Sequence, residues 1–502
     1  MSPIGECYVT HDFSKLGCLA TAVDAAQCRA RLQPKEVTLT RPPLPEATKS
    51  KPPSSVCYEP HASAQHNFLT RQLQTYHLRI AQIHKRSRPS KWIHLECRPP
   101  TSWALLASIS ASPSALRLHV TYSLWSLKDR HRADGVVATL LHALTRSAAE
   151  VHARVMLMDP PQVELYLTLS DSVPSVDGAL LPHLSMAMSD HGSGLAVPDW
   201  TFAHNNELNA SWTSALTTLG NLSRSLGPPS RRAAKIMWRG SPHNQPFLQA
   251  ALPYEQRYRR RLALEAVERL ERLGTLAALN LSADVTCWRP ESCAPTAGRK
   301  LSWARMCESR YMLHLDGFGY SNSLRNRLAC GSIVLRPRSL EAVGRVHEQA
   351  REWWEAVKPL RDGVEYIPLE ANMTNLEGTL YQLEGSPGRA RRVQKAALAY
   401  VRDYLSADAI VCYWRSLILA YSDLFDKWRV TCQRHVERRG SHANAGGSAA
   451  PDLGYVSNPR HERLKPHCYP GGANPCFRQR QHQNGAFNVT ARIVPLAYKI
   501  EL

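Results

Sequence analysis

The sequence lacks an uninterrupted apolar run long enough to cross a bilayer, because a membrane-spanning helix needs about 20 consecutive apolar residues. Residues 1–7 also lack the basic and apolar regions of a secretory signal. The N-terminus therefore favours either a cytoplasmic protein or a sequence that lacks its true start. Cys287 and Cys293 have no second pair at zinc-finger spacing, so we expect no zinc site.

Acidic residues are few relative to basic ones, with 42 Asp and Glu against 62 Lys and Arg and a formal net charge of +20. Such a balance attracts anions and makes nucleic acid the first candidate partner. The basic residues are mostly arginines dispersed along helical stretches, without the aromatic signatures of RNA-binding domains or a helix-turn-helix pattern. We therefore expect no nucleic-acid partner.

The length of 502 residues allows two or three domains with full cores. Residues 1–60 are rich in Pro, Ser, Thr and Lys, which predicts a disordered N-terminal extension. Two successive α/β patterns follow, over residues 61–232 and 233–412, and then a helix over 413–437. Residues 438–502 begin with a Gly- and Ser-containing segment and predict a flexible linker and tail.

Hydrophobic periodicity places individual elements within these two patterns. The predicted strands cover Ala115–Trp125, Val163–Leu169, Ala234–Trp238 and Asp284–Trp288. The predicted helices cover His66–Lys85, Val136–Val151, Tyr254–Leu273, Leu340–Val357, Arg389–Tyr404 and Tyr413–Trp428.

The most informative stretch is Tyr311–Leu335, which predicts a strand, a glycine turn, a short helix and a second strand. In the turn at 316–319, glycine permits positive φ or a close approach of the backbone to a ligand. A helix that starts directly after such a turn points unpaired N–H groups at whatever lies above the sheet. Its hydroxyl and guanidinium side chains would suit a diphosphate, and they are Ser321, Ser323, Arg325 and Arg327.

Six further motifs surround this stretch and occur in a characteristic order. Together they resemble the Rumi-type protein O-glucosyltransferases and the related fungal capsule-associated glycosyltransferases, over residues 155–430. The motifs are Leu167–Asp171, Pro198–Phe202, Trp238–Ser241, Tyr366–Leu369, Met373–Leu376 and Val411–Trp414.

The resemblance implies an α/β fold with two Rossmann-like domains that face a cleft, the GT-B type. Residues 61–232 would form the acceptor side and carry the base, and residues 233–412 would form the UDP-sugar donor side. Ligands of such sheets bind beyond the carboxyl ends of the strands.

The activity implied is inverting transfer of glucose or xylose from a UDP-sugar to a protein Ser/Thr hydroxyl or to a glycan. The chain contains no Asp-X-Asp, the motif on which many glycosyltransferases hold a divalent metal. We therefore expect no metal and no cofactor, with the UDP-sugar as co-substrate and with arginines and a helix N-terminus stabilising the leaving diphosphate. The alternative is a catalytically inactive relative that binds glycans or partner proteins.

Asp171 is the predicted general base, because it follows an apolar strand and precedes a proline-containing loop. The aspartate at this position has that role in the family that the chain resembles. Asp199 and Asp316 are alternatives. We also place Asp199 and Trp200 on the acceptor side.

Ser241 follows a strand and a glycine turn, and the corresponding serine of the family contacts the donor. Arg239 either joins it or anchors the turn. The phosphate-binding arginine of the family lies beyond an insertion here, where Arg259 fits best and competes with Arg260 and Arg261.

The chain departs from the Rumi-type pattern at one position, where Ser323 replaces a diphosphate-binding arginine. Arg325 lies two residues on and is the predicted substitute, provided that it faces the right side of the helix. The donor site predicted from this segment consists of Asp316, Gly317, Gly319, Ser321, Ser323 and Arg325.

Two statements about the 13 cysteines also come from the resemblance. Cys307 and Cys330 match a family disulfide, and Cys412 matches a second bridging position, with Cys57 or Cys97 as its partner. Buried free thiols are the alternative.

Two further features favour the secretory pathway. The chain ends in Lys499-Ile500-Glu501-Leu502, which resembles an endoplasmic-reticulum retention signal. Five N-glycosylation sequons start at Asn209, Asn221, Asn280, Asn372 and Asn488.

Overall fold

The computed structural model describes residues 37–40, 59–85, 104–122, 130–169, 180–188, 194–204, 208–240, 259–287, 301–315, 321–338, 341–342, 345–346 and 351–444. These residues form a mixed α/β structure with two large sheets. The α/β class is therefore confirmed, while the GT-B arrangement and the domain boundaries stay predictions.

The first sheet has six strands in the order β1-β3-β2-β4-β5-β6. Its first four strands pair antiparallel, whereas β4, β5 and β6 run parallel, so the carboxyl ends of these three meet at one edge. The strands are β1 Val37–Thr40, β2 Leu105–Ser112, β3 Ala115–Tyr122, β4 Gln162–Leu167, β5 His183–Ser185 and β6 Gly194–Ala196.

The second sheet has five strands in the order β13-β10-β9-β7-β8, and every neighbouring pair is parallel. Its carboxyl ends therefore also lie at a single edge. The strands are β7 Ala233–Gly240, β8 Ser282–Cys287, β9 Ser309–Leu313, β10 Ile333–Pro337 and β13 Ile367–Leu369, and a separate hairpin pairs β11 Glu341–Ala342 with β12 Arg345–Val346.

Helices cover both sheets. Their bounds are α1 Glu59–Lys85, α2 Arg130–Arg146, α3 Ala148–Met156, α4 Trp212–Leu226, α5 Arg259–Arg272, α6 Thr275–Ala278, α7 Trp303–Cys307, α8 Ser323–Cys330, α9 Trp353–Val357, α10 Leu376–Glu384, α11 Pro387–Tyr404 and α12 Ala407–Asn444. The long α12 packs against α1, α2 and α3, next to the first sheet. None of the described helices is long and apolar enough to cross a membrane.

The two faces of the second sheet bury different cores, because successive side chains of a strand point to opposite faces. Met237 and Met312 join the core that also fills the space around the first sheet. Their neighbours Ile236 and Tyr311 belong to a second core, closed by apolar residues of α5 and α10. The first core therefore packs one face of the second sheet against the first sheet and the helices beside it.

Three predicted elements differ from the structure. The helix predicted over Leu340–Val357 is wrong at 341–342 and 345–346, where β11 and β12 lie, and it is confirmed at Trp353–Val357, where α9 lies. A glycine at position 344 weakens a helix there. The helix predicted over Val136–Val151 is two helices separated at Ser147, whose Oγ donates to the Ala143 carbonyl at 2.7 Å.

The predicted disordered segments also contain structure. The strand β1 lies inside residues 1–60 and pairs antiparallel with β3. The helix α12 continues through Gly440 to Asn444, into the predicted linker. One glycine costs about 1 kcal/mol in a helix, which does not end a helix of this length.

Candidate functional site

The candidate site lies where the carboxyl ends of parallel strands in the two sheets carry polar side chains. In the first sheet, β4 leads toward Asp171 and β6 leads to Asp199. In the second sheet, β9 ends just before the glycine-containing residues 316–319, and α8 begins after them in the sequence. Ligands of open parallel sheets bind at such edges.

Asp199 caps the 3-10 turn Trp200–Phe202 on the acceptor side. Its Oδ1 accepts hydrogen bonds from the Thr201 backbone N–H at 2.9 Å and from Thr201 Oγ1 at 2.6 Å. The carboxylate is buried, with 1% of the residue exposed. Asp199 therefore acts as the cap of this turn, and its position fixes the adjacent Trp200.

Trp200 connects this turn to the strand that leads to Asp171. The edge of its ring meets the His131 ring with 5.1 Å between centroids, and the Arg132 guanidinium lies 6.0 Å from the Trp200 centroid. Arg132 Nη1 also donates to the Leu169 carbonyl at 3.5 Å. Asp171 itself lies outside the described residues, so its role as base stays a prediction.

The donor side has a cluster of polar side chains around the first turn of α8. Ser321 Oγ and Ser323 Oγ are 2.8 Å apart and share a hydrogen bond. Arg327 Nη1 donates to Ser323 Oγ and lies 3.1 Å from His314 Nδ1. The sequence marked Arg327 as suited to a diphosphate, but the predicted donor site contains Arg325 instead. The spacing of four between Ser323 and Arg327, which puts both on one helix face, is the signal that favours Arg327.

Arg239, the predicted donor residue at the end of β7, binds the neighbouring strand. It forms an ion pair with the Asp284 carboxylate, and its Nη1 donates to the Asp284 carbonyl at 2.9 Å. Arg239 thus links β7 to β8, and its role at the donor stays a prediction. Of the other predicted donor residues, Ser241, Asp316, Gly317, Gly319 and the side chain of Arg259 lie outside the described residues, so their roles stay predictions.

Arg325 points into the interior and has no exposed surface. Its Nη1 donates to Glu352 Oε2 at 2.8 Å, its Nη2 lies 3.3 Å from Asp199 Oδ1, and Nη2 also contacts Thr201 Oγ1. The guanidinium Cζ lies 3.9 Å from the centroid of the Phe202 ring. These contacts join α8 to the acceptor-side turn Trp200–Phe202.

The charge of this buried network is nearly balanced. Burial raises the pKa of the Glu352 carboxyl to about 8, the Arg325 guanidinium opposes this shift, and the Asp199 and Glu355 carboxylates add to it. At neutral pH most of the Glu352 carboxyl is therefore protonated. The guanidinium then faces one carboxylate and one neutral acid.

This pKa predicts how stability depends on pH. The folded protein keeps a Glu352 proton that the unfolded chain releases near pH 4.5, so stability is expected to fall as pH rises from about 5 to about 8, by up to about 1.4 kcal/mol per pH unit. Glu352→Gln removes this titration and should flatten the dependence of the melting temperature on pH. The exposed Glu308→Gln is the control. An equally steep dependence in Glu352→Gln would show that another group carries the proton.

A disulfide joins Cys307 and Cys330, with 5.2 Å between their Cα atoms. It links the end of α7, just before β9, to the end of α8. The bond therefore joins the two ends of the segment that contains residues 316–319. Cys412 and Cys432, which are 20 residues apart on α12, each take part in a disulfide as well. Free thiols are therefore excluded at every cysteine whose side chain the structure describes.

The residues that form these strand edges lie in a region that matches a known protein family. The family model of Glycosyl transferase family 90 matches residues 117–440, more than half of the chain. The chain therefore belongs to glycosyl transferase family 90, which confirms the resemblance drawn from the motifs.

Curated relatives match a shorter part of the chain. It is 27% identical over 117 residues to "Protein O-glucosyltransferase 1" of Homo sapiens, and 28% identical over 117 residues to the protein of the same name of Mus musculus. Each match covers 23% of this chain and 27% of the relative. The matched part thus spans about a quarter of the length of these relatives.

Proposed function

We propose that the protein transfers glucose or xylose from a UDP-sugar to a hydroxyl of a protein Ser or Thr, or of a glycan. The observation that carries the proposal is the match to glycosyl transferase family 90 over residues 117–440, which include β4–β6 of the first sheet and the whole second sheet. The name of these relatives, protein O-glucosyltransferase 1, supports a protein as the acceptor and glucose as the transferred sugar.

Asp171 is the proposed general base. It takes the proton of the acceptor hydroxyl while the hydroxyl oxygen attacks the anomeric carbon and the bond from that carbon to the UDP oxygen breaks. Attack opposite the leaving group inverts the anomeric configuration. In the sequence Asp171 comes four residues after the end of β4, and β4 ends at the same sheet edge as β5 and β6, which supports this role.

The leaving diphosphate is proposed to meet the first turn of α8. The helix N-terminus contributes backbone N–H groups, and the side chains are Ser321, Ser323 and Arg327. Ser241 and Arg259 complete the proposed donor set. Positive charge and N–H dipoles of this kind stabilise a leaving diphosphate without a metal ion.

We further propose that the protein works in the lumen of the endoplasmic reticulum or elsewhere in the secretory pathway. Cys307, Cys330, Cys412 and Cys432 are all disulfide-bonded, and such bonds persist mainly in oxidising compartments.

Thermal unfolding in the presence of UDP tests the donor class. UDP at about 100 times its dissociation constant should stabilise the protein by roughly 2.7 kcal/mol, and EDTA should leave the shift unchanged if no metal takes part. ADP at the same concentration is the control for non-specific anion binding. The absence of a shift at millimolar UDP would contradict the proposal. UDP binding without sugar transfer would instead favour an inactive relative of the family.

A further inference from the structure

The two arginines of α8 lie on opposite sides of the helix. Successive residues of an α-helix are rotated by about 100°, so Arg325 and Arg327 differ by roughly 200°. Ser323 and Arg327, four residues apart, share a face, and the hydrogen bond between them shows this directly. Arg325 cannot reach the position that the missing arginine would occupy at residue 323.

The face of Arg325 is turned toward the first sheet's unit. Its guanidinium lies near the rings of Phe202 and Trp212, at 3.9 and 5.2 Å from their centroids. Trp212 opens α4, and Phe202 ends the turn capped by Asp199. A cation that contacts two aromatic rings and is hydrogen-bonded to acidic side chains is held in one orientation.

The partners of Arg325 come from two separate elements. Asp199 and Thr201 belong to the acceptor-side turn, and Glu352 directly precedes α9. The Asp199–Arg325 pair spans 126 residues of sequence. The guanidinium fork therefore fixes the position of α8 relative to the turn that carries Trp200.

The contacts continue from this turn toward the proposed base. Trp200 follows Asp199 in sequence and contacts His131 and Arg132, and Arg132 donates to the Leu169 carbonyl. Leu169 lies two residues before Asp171. A shift of the Asp199 turn would therefore reach the backbone that carries the base.

On the basis of the proposed function, we propose that Arg327 supplies the guanidinium for the donor diphosphate. Arg325 is a positioning residue that couples the donor-side helix to the acceptor-side turn. The sequence-based assignment of the diphosphate to Arg325 is thereby replaced by Arg327.

Binding of UDP and of uridine separates the two roles, because only UDP carries the diphosphate. Arg327→Met is expected to weaken UDP binding by about tenfold to a hundredfold, the usual range for a lost charge-assisted hydrogen bond, and to leave uridine binding unchanged. Arg327→Lys should restore part of the UDP affinity. Arg325→Met should bind UDP within about threefold of the wild type. UDP binding lost in Arg325→Met but kept in Arg327→Met would overturn the assignment.

Hydrolysis of UDP-glucose, with water as the acceptor, tests the positioning role. Arg325→Met and Asp199→Asn are each expected to lower kcat by about tenfold to a hundredfold, the effect of an orientation error near 1 Å, with KM nearly unchanged. The double variant should be no slower than the slower single variant. Multiplicative losses in the double variant would show that the two residues act separately.

Arg336→Met is the matched control, because Arg336 is also buried and ion-paired, with Glu355 at 2.7 Å. It should lower the melting temperature but keep kcat. Arg325→Lys replaces Arg325→Met if the latter does not fold. A wild type that binds no UDP would contradict the proposed function. In that case the coupling is still tested by the melting temperatures, because the decrease in the double variant should differ from the sum of the decreases in the Asp199 and Arg325 single variants.

Discussion

Replacing Asp171 with asparagine is expected to lower sugar transfer by about 10²–10⁴-fold, the usual contribution of a general base. Asparagine keeps the size of the side chain but accepts no proton, so the acceptor hydroxyl would have to attack in its neutral form. UDP binding should stay within about twofold of the wild type, because the donor is proposed to contact α8 and not the end of β4. Release of UDP from UDP-glucose, followed with and without an acceptor, measures the effect.

The exposed Asp403→Asn on α11 is the control for the loss of one negative charge, and it should keep full activity. A second comparison is Asp199→Asn. Asp199 was an alternative base, but its carboxylate is buried and caps the Trp200–Phe202 turn. Equal activity in Asp171→Asn and the wild type would remove Asp171 from the mechanism. A larger loss in Asp199→Asn than in Asp171→Asn would favour Asp199 as the base.

Strong periodicity predicted most of the second sheet correctly. The predicted strand Ala234–Trp238 lies within β7. The predicted strand Asp284–Trp288 overlaps β8 from Asp284 to Cys287. The strand β2 was missed, although buried and half-buried residues alternate along its whole length. Five of its eight residues are serine or alanine, which contrast too little in hydrophobicity to make the period of two strong.

The residues of the candidate site were partly predictable, but their orientation was not. Helix geometry alone places Ser323 and Arg325 on opposite faces, whereas packing decides which of these faces turns toward the interior. That packing involves Phe202 and Trp212, more than 100 residues upstream. The raised pKa of Glu352 was equally inaccessible, because it arises from burial beside Asp199 and Glu355.

Arg232 is another residue whose importance only the structure reveals. It lies at the start of the second sheet's unit, is 4% exposed, and burial lowers the pKa of its guanidinium to about 10. Its Nη1 donates to the carbonyls of Cys307 and Cys330 at 2.8 and 2.9 Å, and Nη2 donates to Ser223 Oγ at 3.2 Å. One side chain thus joins α4 to both cysteines of the disulfide.

Arg232→Met is expected to destabilise the protein by about 3 kcal/mol or more, because buried carbonyl groups lose their donors. Some acceptors keep a partner. The Gly227 carbonyl, which also accepts from Arg232, accepts from Gln394 as well, and Ser332 Oγ donates to the Cys307 carbonyl. Thermal unfolding should show a melting temperature lower by roughly 6–12 °C. Arg232→Lys should lose less, because an ammonium group keeps the charge but cannot span both sets of acceptors.

The neighbouring Arg231→Met is the matched control, because Arg231 is exposed and its replacement should change stability by less than about 0.5 kcal/mol. Reduction of the disulfide in wild type and variant separates the two contributions. If Arg232 acts by holding the carbonyls of the bridged cysteines in place, reduction should lower the melting temperature of Arg232→Met by less than that of the wild type. Equal shifts would show that guanidinium and disulfide stabilise this segment independently, and a variant as stable as Arg231→Met would exclude Arg232 as a structural clamp.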